Sequence, residues 1–115
     1  MATVAGVGSW IAPGVHQKVW TLGNADSGSV HDAANLPDKT FQVVGTWGSA
    51  TLVIQGSNDG TNWTTLNDPQ GGALSFTTGS PTDVIAENPR YVRPTTSGGT
   101  GTALVCTIIS QSAKR

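Results

Sequence analysis

The sequence predicts an all-β protein. Its expected form is a single antiparallel β-sandwich of about eight strands, immunoglobulin-like or jelly-roll-like, behind an extended N-terminal arm. Three observations predict it. Apolar and polar residues alternate with period two through most of the chain, as half-buried strands require. Short Gly, Pro, Asn and Asp clusters separate the runs at fairly regular spacing. No amphipathic helix of useful length is legible. At 115 residues the chain fits one domain with a modest core.

Residues 1–14, small and Gly-rich, end in Ala12-Pro13-Gly14 and read as the arm, with Trp10 and Ile11 as apolar residues outside any clear strand. Such an arm packs on its own domain or reaches a neighbour. Residues 15–110 form the sandwich domain and 111–115 a polar tail. Val15–Leu22 is the first strand, with Trp20 and Leu22 on one face. Gly23–Pro37 is a polar link, long for a hairpin, with room for a short strand or a turn of helix near His31–Asn35.

Thr40–Leu66 is the organising stretch, read as a three-stranded meander. Phe41, Val43, Gly45 and Trp47 share one face, with Gln42, Val44 and Thr46 opposite. After Gly48-Ser49, Leu52, Ile54 and Gly56 share a face. Ser57-Asn58-Asp59-Gly60 then signals a hairpin, since Gly60 can take positive φ and Asp59 tolerates it. Ala73–Thr78 and Asp83–Glu87 are further short strands. Arg90–Ser97 is a strand that Pro94 assigns to an edge or a bulge. Thr102–Ser110, apolar on both faces, is a central strand.

Charged residues make up 11% of the chain, against roughly 25% in typical globular chains. The formal net charge is −1, and the few basic residues form no electrostatic footprint for nucleic acid. The tryptophans are not interleaved with basic residues as a single-strand groove requires. No stretch approaches the roughly 18 apolar residues of a membrane span, and the N-terminus lacks the pattern of a secretory signal. The single cysteine, Cys106, lies in an apolar run and reads as a buried free thiol. Asp26, Asp32, Asp38 and His31 match no Ca²⁺ or Zn²⁺ spacing and read as loop acids and turn caps. There is no Gly-x-Ser-x-Gly motif, no phosphate-cradling loop and no plausible carboxylate pair, so no enzyme, metal or cofactor is expected. Trp47 and Trp63, each beside a polar turn, are the candidates for sugar stacking.

Two stretches carry a resemblance: VVGTWGSATLVIQGSNDGTNWTTLNDPQGGALSFT (43–77) and ENPRYVRPTTSGGTGTALVCTIIS (87–110). They resemble small structural proteins of tailed bacteriophages, in which a "GTWGGA…LQGSNDG…W…L.D…G" stretch precedes "NPRYIRP…GG". SNDGTNW followed by RYVR is also similar to the scaffold of discoidin-like (F5/8 type C) domains. This chain is shorter than those, has one Cys and lacks a set of binding-loop aromatics.

The phage resemblance implies a capsid decoration (cement) protein on the virion surface, made in the bacterial host cytoplasm. Its partners would be the major capsid protein and itself, as homodimer or homotrimer, with neither nucleic acid nor membrane. Expected contacts are Trp10, Ile11, Arg90, Tyr91, Arg93, Lys114 and Arg115. The alternatives are a carbohydrate-binding attachment module using Trp47 or Trp63, and a tail component.

Overall fold

Alternation in sequence becomes alternation in burial in the computed structural model, which describes residues 2–34 and 36–112. Among the described residues there is no helix, and there are twelve strands. They are β1 (Ala2–Val4), β2 (Val7–Ala12), β3 (Val15–Leu22), β4 (Asp26–Gly28), β5 (His31–Asp32) and β6 (Asp38–Thr46). There follow β7 (Thr51–Ser57), β8 (Thr64–Thr65), β9 (Ser75–Phe76), β10 (Thr82–Ile85), β11 (Tyr91–Ser97) and β12 (Ala103–Gln111). Five of these have three residues or fewer, which separates twelve from the expected eight or so.

They form a β-sandwich. One sheet has five strands in the order β10-β6-β12-β3-β2. The other has seven, ordered β1-β4-β11-β7-β8, with β5 added to β11 and β9 to β7. β12 is central, as its apolar character predicts, and pairs with β6 on one side and β3 on the other over nearly its full length. Trp20, Leu22, Phe41, Val43, Leu104, Cys106 and Ile108 fill the core from the five-stranded sheet. Leu52, Ile54 and Val92 meet them from the other. Cys106 is buried and free, and desolvation pushes its thiol up to about 12.

The expected meander is not formed. β6 and β7 join at a tight turn in which Gly48 (φ 57°) and Ser49 (φ 68°) are both left-handed, and Ala50 N donates to Trp47 O at 3.0 Å. Beyond it the strands part: β6 pairs with β12 and β10, β7 with β11, β8 and β9. Period two reports which side chains point inward, and it is identical for paired strands and for strands facing each other across a core. The Ser57–Gly60 signal does make a hairpin, β7–β8. Ser57 Oγ and the backbone N–H groups of Thr61 and Asn62 donate to Asp59. Those donors hold the Asp59 carboxyl well below the usual carboxylate range.

β11 is interior, not an edge. Its flanking strand is interrupted opposite Pro94: β5 meets Val92 through His31, and β4 meets Thr95 through Ser27. A side chain at Gly28 would press on the Pro94 ring, its Cβ 2.8 Å from Cδ.

The N-terminal segment is extended and packs on its own domain. β1 pairs parallel with β4 in one sheet; β2 pairs with β3 in the other. Between them Gly6 N donates to Ser29 Oγ at 2.9 Å, and Trp20 Nε1 donates to Ser29 O at 3.0 Å. A Cβ at Gly6 would lie 2.6 Å from Trp20 Nε1, so the linker lies directly on this buried ring.

Candidate interaction surface

The expected contact residues separate onto two sides of the sandwich. On the seven-stranded sheet, Arg93 stacks over Trp63 with its guanidinium 4.0 Å from the ring centroid and donates to Gln55 at 3.0 Å. Arg90 lies 5.0 Å over Tyr91 and 3.4 Å from Asp32 in an exposed pair. These cations are engaged within the chain, and one face of the Trp63 ring is covered by Arg93. Trp47 is half-buried against the core and donates from Nε1 to Gly79 O at 2.8 Å. Lys114 and Arg115 lie outside the described residues.

Trp10 and Ile11 lie on β2, an edge strand of the five-stranded sheet. This strand pairs with β3 on one side and, among the described residues, leaves its other edge open. All six of its residues, VGSWIA, are exposed: Val7 is 74% exposed, Trp10 63% and Ile11 54%. Natural edge strands are usually guarded by shortness, charge or proline. The other edge of this sheet, β10, has four residues, carries Asp83 and follows Pro81. The outer strands of the second sheet, β1 and β8, have three and two residues. β2 has no charge and no proline, and its single guard is a register shift between Trp10 and Ala12 that leaves Ile11 unpaired. Its open N–H and C=O groups and three large apolar side chains suit another protein surface.

Behind Trp10 runs a row of aromatic rings. Trp10 meets His16 edge-on at 5.0 Å, and His16 stacks on His31 at 5.1 Å and 11°. A ring nitrogen of His31, itself 3% exposed, lies 3.0 Å from the fully buried Ser110 hydroxyl. Burial, then His16, then Lys18 push His31 down to about 4; Asp32 opposes weakly. His16 is also lowered, by burial and by Lys18. His16 Nδ1 has no partner among the described residues, so a proton added there would find no acceptor.

The unfolded chain binds these protons near pH 6.5 and the folded chain only near 4 for His31, so stability rises with pH across that window. Acidification from 6.5 to 4 is therefore expected to cost about 2 kcal/mol from His31 after allowance for screening. Urea midpoints measured through that range, with His31→Gln flattening the slope, check it.

The second unassigned feature is the outward side of the five-stranded sheet. Register pairs Val84, Thr40, Ile109 and Gln17 across one row, Gln42, Thr107 and Val19 across the next, and Val44, Val105 and Thr21 across a third. Lys18, Lys39 and Asp83 have the opposite parity, sharing the inward side with Phe41 and Ile108. Lys39 is 1% exposed and its ammonium donates to Leu36 O, Pro37 O and Asn88 Oδ1. The sequence held a signal for this face: Lys39 falls in step with Phe41 and Val43. Reading it required knowing that these strands share one sheet.

Among the described residues no three His, Cys, Asp or Glu side chains gather as metal ligands. Asp26, Asp32 and Asp68 accept from nearby backbone N–H groups in turns.

A two-sheet all-β protein with an open apolar edge is the class so defined. No protein-family model matches the chain, and no curated protein matches it in sequence. In fold it is similar to the SPBc2 prophage-derived protein YomS, with a TM-score of 0.64 at 13% identity over 84% of this chain and 95% of that one. A cupin domain from Bordetella pertussis Tohama I aligns over 96% of each chain at 10% identity, with a TM-score of 0.47 that is too loose to bear on chemistry.

Proposed function

We propose that this is a non-enzymatic structural protein of a tailed-phage virion: a capsid decoration protein that docks on the outer shell and bridges major capsid subunits. The observation that carries it is the open β2 edge, with Val7, Trp10 and Ile11 exposed on an uncharged six-residue strand. The fold likeness to a prophage-derived protein supports a phage setting. Engagement of the acids in turns supports a scaffold role over catalysis. On a symmetric lattice many copies of one modest contact add up, and one chain touching two shell subunits gains by effective concentration.

The test mixes the purified protein with phage heads that lack it and have been emptied of DNA, then measures co-sedimentation. Stoichiometric binding is expected, with Trp10→Ala combined with Ile11→Ser weakening it at least tenfold, as loss of a central aromatic anchor does. Unchanged binding by that variant removes β2 from the interface. Absence of binding to heads, with retention on glycans, replaces the decoration role by an attachment module.

A further inference from the structure

We propose that the outward face of the five-stranded sheet is a self-association surface, on which a second copy of this chain packs face to face about a twofold axis near β12. The inference rests on the structural-protein reading above and names the surface through which copies pair.

The parity of the charges carries it. A solvated sheet puts apolar residues inward and charges outward. Here Lys18, Lys39 and Asp83 have the inward parity, while Val19, Val44, Val84, Val105 and Ile109 have the outward one, among Thr and Gln. Asp38, at the first position of β6, is the one charged residue of outward parity on these strands. The surface is open: Val84 is 42% exposed and Val44 38%. Among the described residues the Lys39 ammonium donates only to uncharged acceptors, so its inward placement is not set by a buried carboxylate partner.

A neutral face suits a copy of itself. In an isologous contact each residue near the axis meets its own counterpart, and any charge there would face a like charge. The opposite sheet, with Arg93 outward, has no such neutrality. Size fits as well. Five strands about 4.8 Å apart span about 24 Å, and seven residues along them about 23 Å, giving about 550 Å² per copy. A pair would bury about 1,100 Å², just above the ~1,000 Å² that a specific interface needs. β-branched side chains on two twisted sheets interdigitate at the spacing of a sandwich core.

The experiment is sedimentation velocity of the full chain over a concentration series, without phage heads. The expected result is a reversible monomer–dimer equilibrium. Val105→Lys, on the central strand, should raise the dissociation constant at least tenfold through like charges across the axis. Mixing it with Val105→Asp should restore a heterodimer, which a merely misfolded variant could not do. If either substitution prevents folding, Val84→Lys and Val84→Asp carry the same comparison. Trp10→Ala should leave the dimer intact.

A wild-type chain that stays monomeric at the highest concentration overturns the proposal. So does a dimer that survives both lysine variants but is lost with Trp10→Ala, which would move self-pairing to the β2 edge. Head binding is a separate readout, so the decoration role can fail while the dimer stands, and the reverse.

Discussion

Trp20→Ala is expected to lower stability by about 3–5 kcal/mol, the range for emptying a buried tryptophan site. The ring is fully buried between the sheets, and its indole N–H holds Ser29. The loss should spread to the segment that carries β2. Gly6 lies directly on this ring, and Ser29 N in turn donates to Val4 O at 2.7 Å, so the segment leading into β2 is anchored there. Urea denaturation measures the first effect. Hydrogen exchange along residues 2–12 measures the second, with faster exchange expected than in Trp20→Phe, which keeps an aromatic ring in the site. A Trp20→Ala protein with unchanged protection in that segment would show that β2 is held by its pairing with β3 alone.

Gly45→Ala is expected to cost at least about 3 kcal/mol, combining a left-handed backbone with a collision that cannot relax. Gly45 has φ 131°, and an added Cβ would strike the Ala103 carbonyl oxygen, backbone of the central strand. Moving Ala103 aside would disturb the β6–β12 ladder, where Gly45 pairs with Leu104. Gly98→Ala is the control. Its φ of 66° carries the same kind of strain, but nothing lies within 4 Å of the added carbon. That substitution should cost only about 1 kcal/mol. Equal losses at the two positions, compared by thermal melting, would mean that backbone strain alone matters and that the β6–β12 ladder has slack.

Much of the sandwich was legible because burial follows alternation. Val15–Leu22 is a strand over the very residues whose pattern announced it, and the run around Cys106 is central because it is apolar on both sides. The Asp59-Gly60 turn was legible because its chemistry is local. Sheet membership was not: Phe41 and Leu52 face one core from opposite sheets, and nothing in their spacing says so. Pro94 misled for a related reason. A missing N–H is tolerated inside a sheet when the neighbouring strand is broken opposite it, as β4 and β5 are.

β2 was legible as Trp10 and Ile11 without a core to join, but not as a strand. A segment exposed on every residue has no burial period to display. The neutral sheet face left only one trace in the sequence, Lys39 in step with Phe41 and Val43. Each strand contributes only two or three unremarkable Val and Thr residues to it, and the face exists only once five strands lie side by side.

The claim that β2 is the docking edge is tested most directly by electron cryomicroscopy of emptied heads decorated with the protein. The account predicts ordered density at symmetry-related shell positions, with the β2 edge, Trp10 and Ile11 turned to the capsid. Ordered density with β2 facing solvent and Arg90, Tyr91 and Arg93 against the shell would contradict it.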